Sequence, residues 1–175
     1  MQMELVELSI PGVFEIKPRI FTDDRGLFVK TFQASDFEKA GLDCVFKEEF
    51  YSVSRPNVIR GMHFQLPPFA HSKLVYCTES RVLDVVLDLR EGPSYGRVLT
   101  QELDAANRNM LYIPIGCAHG FMAFDKQATM VYHVSSEHNP ASDAGILWNS
   151  FGFDWKNSAP ILSPRDQGFV RFDAF

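Results

Sequence analysis

The run Arg60-Gly61-Met62-His63-Phe64-Gln65 has the two-residue alternation of a strand, which puts His63 and Gln65 on one face. An imidazole, with a reference pKa of about 6.5, is the side chain best able to take up and return a proton near neutral pH. Regular alternation would turn Arg60 the other way. A bulge at Gly61, a residue type that tolerates one, would bring Arg60 and His63 into the same pocket. Lys73 opens an apolar strand and shares its face with His71 and Val75. It is either a strand-end charge reaching for water or an interior cation placed for an anion. The small-residue turn Pro114-Ile115-Gly116-Cys117-Ala118-His119-Gly120-Phe121 either lets His119 approach a ligand closely or forms a tight hairpin with an exposed histidine. Tyr132 follows Met130 at strand spacing, with His133 on the opposite face, and a tyrosine in that position is ordinarily core or rim. Asp166, in the proline-bearing loop Ser163-Pro164-Arg165-Asp166, is a turn residue unless the loop folds back to orient a histidine, as a carboxylate does for a catalytic imidazole.

The elements that must position these groups are mostly strands. Pro11-Gly12, Asp24-Arg25-Gly26, Pro56-Asn57, Pro67-Pro68, Gly92-Pro93-Ser94, Pro114-Ile115-Gly116 and Asn139-Pro140 punctuate short apolar runs. Val82 to Leu89 is the clearest strand, with Leu83, Val85, Leu87 and Leu89 on one face and Asp84 and Asp88 on the other. Phe50 to Val53, Lys73 to Cys77, Val98 to Leu103, Met110 to Ile113, Phe121 to Phe124 and Thr129 to Val134 follow the same pattern. Ser35-Asp36-Phe37-Glu38 predicts a capping box opening a short helix that Gly41 closes, and a second short helix is expected in the C-terminal part. Strands this dense, with 16 phenylalanines to fill the interior, predict an all-β double-sheet jelly roll or small barrel, able to hold a ligand in its mouth.

Composition narrows the function. The 175 residues, 46% apolar and 22% charged, predict one domain spanning 1–175. A formal charge of −5 argues against nucleic acid as a partner while leaving room for a local basic pocket. Asp84 and Asp88 interrupt the most apolar stretch, and Glu4 and Glu7 lie where a basic leader would be, so neither a membrane span nor a signal peptide is expected, and the cytoplasm is the expected location. The cysteines Cys44, Cys77 and Cys117 form no CxxC pair and predict buried thiols rather than disulfides or a zinc site. A metal-binding barrel of the cupin type sets two histidines one residue apart; here the second position is Gln65, a poor transition-metal ligand, so no metal is expected.

In order along nearly the whole chain, these segments resemble the dTDP-4-dehydrorhamnose 3,5-epimerases, metal-free members of the cupin superfamily. The matching stretches are Pro11-Gly12-Val13-Phe14, Thr22-Asp23-Asp24-Arg25-Gly26, Arg60 to Gln65 with Pro67-Pro68, Lys73-Leu74-Val75 and Asp84 to Arg90. They continue through Ile113-Pro114, Ala118-His119-Gly120-Phe121, Tyr132, Gly145-Ile146-Leu147-Trp148 and Leu162 to Asp166. The resemblance implies His63 as general base, oriented by Asp166, with Tyr132 as the acid across the sugar ring and Lys73 stabilising an enolate oxygen. Arg25, Arg60 and His119 would hold the diphosphate and sugar. It also implies no cofactor, a nucleotide-sugar substrate and a homodimer with strands exchanged between subunits.

The chain departs from the family pattern around the nucleotide. His138 replaces a second tyrosine that lines the substrate site, Glu48, Phe50 and Lys30 replace glutamine, asparagine and glutamate, and Phe69 and His71 replace a histidine and a glutamine. Because a carboxylate or a phenyl ring cannot reproduce an amide's donor and acceptor pattern, the expectation is a retained catalytic set, Gln65 beside it, and an altered nucleotide pocket at Glu48, Phe50 and His138. Thymidine is then the family default and cytidine the substitute. Other readings are a 3,4-ketoisomerase, a metal-dependent cupin oxygenase using His63, His71 and His119, and a sugar-nucleotide binding module without catalysis.

Overall fold

A computed structural model describes residues 3–175. The strands are β1 (Glu4–Glu7), β2 (Phe14–Lys17), β3 (Arg19–Asp23), β4 (Gly26–Lys30), β5 (Glu48–Ser54), β6 (Ile59–Gln65), β7 (Lys73–Glu79) and β8 (Arg81–Asp88). They continue as β9 (Val98–Asp104), β10 (Met110–Ile113), β11 (Cys117–Ala123), β12 (Ala128–Val134) and β13 (Asp143–Gly145). Helix α1 spans Ala34–Lys39 and α2 spans Pro164–Gln167. One sheet has the order β1-β2-β10-β7-β12-β5, a second β13-β6-β11-β8-β9, and β3 and β4 form a separate hairpin. All the strand pairs are antiparallel. This is the expected double-sheet jelly roll of the cupin type.

Strand alternation explains the layering. The inward residues Val75, Val82, Val86, Leu111, Phe121, Met130 and Tyr132 come from both large sheets and form the core between them. Their neighbours Val85, Leu87, Ala118 and Met122 face outward, where the C-terminal segment covers them with Ile146, Phe151 and Trp155. On the outer face of the other sheet, α1 and the chain around it cap Ile16, Leu74 and Met110 with Phe37, Phe32 and Phe46. Asp84 and Asp88 therefore point not to solvent but into the barrel, both fully buried.

Several local expectations need correcting. The capping box does not form: α1 begins at Ala34 with Gln33 as its N-cap and no side-chain cap, which moves Ser35 into the first turn. Gly41 does close the helix, at φ +71°, with the Leu42 amide donating to the Phe37 carbonyl. The expected turn from Pro114 to Phe121 ends at Gly116, and β11 already runs from Cys117, so His119 is a strand residue and is buried rather than exposed. Cys77 and Cys117 are buried thiols, whereas Cys44 is half-buried beside Glu38. Among the described residues no helix is long and apolar enough to cross a membrane.

Candidate active site

A one-residue irregularity in β6 builds the site. Across from β11, His63 pairs with His119 and Arg60 with Phe121, so two β6 residues oppose the single Gly120. The extra residue resets the alternation: Ile59, Met62 and Phe64 pack outward, while Arg60 and His63 both line the interior cavity. Glycine is required on both sides of this bulge. Gly61 sits at φ +138°, and a Cβ there would lie 2.5 Å from the Gly120 Cα; a Cβ on Gly120 would lie 2.8 Å from the Arg60 carbonyl oxygen. The cavity these strands enclose has a volume of about 620 Å³.

The carboxylate for His63 arrives from the far end of the chain. Ile161 bridges to Val58 alongside β6, and the Ile59 amide donates to the Ile161 carbonyl at 3.0 Å. Ser163 then caps α2, its hydroxyl accepting from the Asp166 amide at 3.0 Å, with Pro164 preset for the first turn. Asp166 thus lies 2.9 Å from His63 Nε2 through one oxygen and accepts the Gly61 amide at 3.2 Å through the other. Burial holds His63 below the usual imidazole range, with Asp166 opposing that shift. Asp166 stays below the usual carboxylate range because its hydrogen bonds and the neighbouring imidazole outweigh its own burial. With Nε2 turned to Asp166, Nδ1 is the ring nitrogen left for a ligand.

Deeper in the barrel a second pair repeats this motif: His119 Nε2 lies 2.8 Å from Asp84, both fully enclosed, and the other Asp84 oxygen has no hydrogen-bond partner. Between the pairs is Lys73, whose ammonium donates to the His63 carbonyl at 2.9 Å. Burial lowers the Lys73 pKa to about 8, and Asp84 is the largest charge resisting that fall. Tyr132 also lines the cavity, its hydroxyl 3.4 Å from the Ser52 hydroxyl and its ring edge-on to His119. Its burial pushes the phenol well above the usual range, so it is protonated throughout neutral pH. Phe50, its cross-strand partner, stacks on it at 4.7 Å and 14°.

Of the other expected residues, Arg60, Glu48, Gln65, His119 and His138 also line this cavity. Gln65 is committed to the protein itself: its amide donates to the Phe69 and Glu137 carbonyls and accepts from the Asn139 amide, fixing the loop that carries His138. Arg25 is the exception. It sits at the tip of the β3–β4 hairpin, paired to Asp23, with its side chain 90% exposed, and it lines no part of the chain's own cavity. Lys30 likewise lies outside, bonded to Gln33. His63, His71 and His119 do not converge as ligands; among the described residues no three His, Cys, Asp or Glu side chains form a metal-ligand group.

Sequence reasoning gave no role to Asp84, Asp143 or Arg165. Arg165 reaches within 3.2 Å of His63 Nε2, is gripped by both oxygens of Asp143, and lies over the Phe169 ring. A usable signal existed for Asp84, a charge with the same parity as the inward Val82 and Val86. None existed for the Arg165–Asp143 pair, which only chain return creates.

The profile of the dTDP-4-dehydrorhamnose 3,5-epimerase family matches residues 7–174. An Escherichia coli protein named dTDP-4-dehydrorhamnose 3,5-epimerase is 39% identical over 176 residues, covering 98% of this chain and 95% of its own. The crystal structure of such an epimerase from Elizabethkingia anophelis superposes with a TM-score of 0.92 at 36% identity, covering 98% of this chain and 97% of that one. One from Bacillus anthracis, with TDP and PPi bound, superposes with a TM-score of 0.93 at 31% identity, covering 97% and 99%.

Proposed function

Because the chain belongs to the dTDP-4-dehydrorhamnose 3,5-epimerase family and is an epimerase of nucleotide-linked sugars, we propose that His63, Asp166, Lys73 and Tyr132 carry its reaction on an NDP-4-keto-6-deoxyhexose. The observation that carries this assignment is the placement of a carboxylate-backed imidazole, a buried ammonium and a protonated phenol around one cavity.

The C3 and C5 protons of such a sugar flank the C4 carbonyl, so removing either gives an enolate with its charge on O4. His63 takes the proton through Nδ1, and Asp166 supports the resulting imidazolium. The Lys73 ammonium faces O4, a preorganised electrostatic contribution of roughly 3–4 kcal/mol. Tyr132 then delivers its phenolic proton to the opposite face of the carbon, and the configuration inverts. Solvent returns the proton to Tyr132 and removes the one on His63, so protons balance over the cycle. Arg60, His119 and Arg165 hold the diphosphate and sugar. A single domain, residues 1–175, performs the whole reaction without a cofactor.

The working unit is a homodimer. A lone two-stranded hairpin is marginal in water, yet β3–β4 leaves Phe21, Leu27 and Phe28 exposed and carries Arg25 at its tip. Packing that hairpin on a second copy covers the three apolar side chains and delivers Arg25 to the partner's cavity. Three free cysteines are consistent with the reducing cytoplasm as its location.

Proton NMR in D₂O with freshly generated dTDP-4-keto-6-deoxyglucose, repeated with the CDP analogue, tests the reaction. Loss of both the C3 and C5 signals is expected for a 3,5-epimerase. Loss of one alone gives a mono-epimerase or ketoisomerase, which product spectra separate, and exchange with neither substrate rejects the assignment.

A further inference from the structure

Two side chains of opposite sign are left without an ion pair by this chain's own fold, and they lie on the two surfaces that the homodimer brings together. Glu48, on the cavity wall, accepts the His138 backbone amide at 2.6 Å and, among the described residues, meets no cation of its own chain. Lys30, at the end of the β3–β4 hairpin, donates to the Gln33 side chain at 3.3 Å and, among the described residues, meets no carboxylate. The charges beside them are already matched. On the hairpin Arg19 faces Asp36 and Arg25 faces Asp23, and in the cavity Asp143 faces Arg165.

Strand geometry makes these two surfaces fit. In the hairpin Arg19 pairs with Lys30 and Phe21 with Phe28, so Phe28 and Lys30 project from one face, with the exposed Phe21 and Phe28 rings 6.0 Å apart. On β5, an edge strand of its sheet, Glu48 and Phe50 likewise share one face and both line the cavity. Each segment thus carries a charge and a phenyl ring two residues apart. Run antiparallel, the two segments oppose lysine to glutamate and phenyl to phenyl in a single register, the pairs that stabilise neighbouring strands.

Resting on the homodimer reading, we propose that Glu48 is the counter-charge of Lys30 of the partner subunit, and that this pair, formed twice about the two-fold axis, completes the mouth of each cavity. Lys73, His119 and Tyr132 are buried while Phe50 is 44% exposed, so the pair stands at the open end, away from the reacting groups. A bare carboxylate there repels an anionic nucleotide. The partner's Lys30 neutralises it, and each subunit thereby makes the other's cavity fit to receive a diphosphate.

Sedimentation velocity over a dilution series, at low ionic strength so that screening is weak, compares the unaltered protein with Lys30→Met, Glu48→Gln and the double variant. Each single substitution is expected to weaken the dimer roughly tenfold, and the second to add little to the first. The reversed pair, Lys30→Glu with Glu48→Lys, is expected to restore the dimerisation that either reversal alone removes. Calorimetry with dTDP gives a second readout: Lys30→Met weakens nucleotide binding because it bares Glu48, and adding Glu48→Gln recovers it. Independent, additive effects of the two neutralising substitutions overturn the proposal, as does a Lys30→Met dimer as tight as the unaltered one. Coupling of Glu48→Gln to Arg25→Met instead assigns the carboxylate to Arg25 and also overturns it. An unaltered chain that sediments as a monomer throughout overturns the homodimer reading itself, a result distinct from a dimer indifferent to these two charges.

Discussion

The barrel holds two histidine–carboxylate pairs that look alike and are built differently. His63 and Asp166 come from segments 103 residues apart, and the imidazole is 29% exposed at the cavity. His119 and Asp84 come from the adjacent strands β11 and β8, and both are sealed in. A pair that must exchange protons with substrate and solvent needs an open ring nitrogen and a carboxylate that stays ionised. The first pair has these through its position at the cavity and the hydrogen bond that the Gly61 amide donates to the Asp166 carboxylate. The enclosed pair is suited to holding charge in place: Asp84 faces both His119 and Lys73. The chemistry of a His–Asp pair is therefore set by access and by what else the carboxylate faces, not by the short contact alone.

The sharpest way to break this comparison is to remove each imidazole. His63→Ala is expected to slow solvent exchange of the substrate protons about 10²–10⁴-fold while nucleotide binding persists, whereas His119→Ala raises KM and leaves exchange at saturation largely intact. The two would trade roles if saturating substrate restored exchange in His63→Ala and not in His119→Ala. Lys73→Met comes next, with about a 10²–10³-fold loss in kcat and little change in nucleotide affinity, measured by the same exchange assay.

A structural test follows in size. Gly61→Ala forces a Cβ against the Gly120 backbone at a positive φ, an overpacking that costs about 1–3 kcal/mol or more in urea unfolding. Unchanged stability would mean the bulge relaxes freely and does not fix the relation of Arg60 to His63.

The smallest effect is the most discriminating. His63, held below its usual range, remains a neutral base as pH falls through 6.5, so the acid limb of kcat/KM lies below the ordinary imidazole value. Lys73 loses its proton as pH rises through about 8, and activity declines there. Asp84→Asn removes the largest charge favouring the ammonium and shifts that alkaline limb to lower pH. Asp166→Asn lowers the rate and leaves the alkaline limb in place. An alkaline limb unmoved by Asp84→Asn would separate the deep pair from Lys73.

Much of this was legible in residue order. Alternation from Lys73 to Cys77 and from Met110 to Ile113 marked true strands, and Gly61 was marked as the place where a bulge would reunite Arg60 with His63. The capping box at Ser35 misled because the helix begins earlier, with its N-cap two residues before Ser35 at Gln33, whose side chain makes no cap hydrogen bond, so Ser35 falls inside the first turn. The turn around Gly116 was extended too far because Ala118 and Gly120 are small for packing reasons, with Gly120 pressed against Met62 and the Arg60 carbonyl.

The sequence by itself determined the alternating strands, the parity that sets Asp84 with Val82 and Val86 and Lys73 with Val75, and the resemblance that named the reaction. These depend on local spacing, which a strand's two-residue period converts directly into direction. Only the tertiary structure decided that Lys73, Asp84, His119 and Tyr132 share the inside of a barrel, that Asp166 returns to His63, and that Arg165 is held by Asp143. Those facts arise from pairing between distant segments, where partner and distance are set by the closure of the sheets and the path of the C-terminal chain rather than by any neighbouring residue.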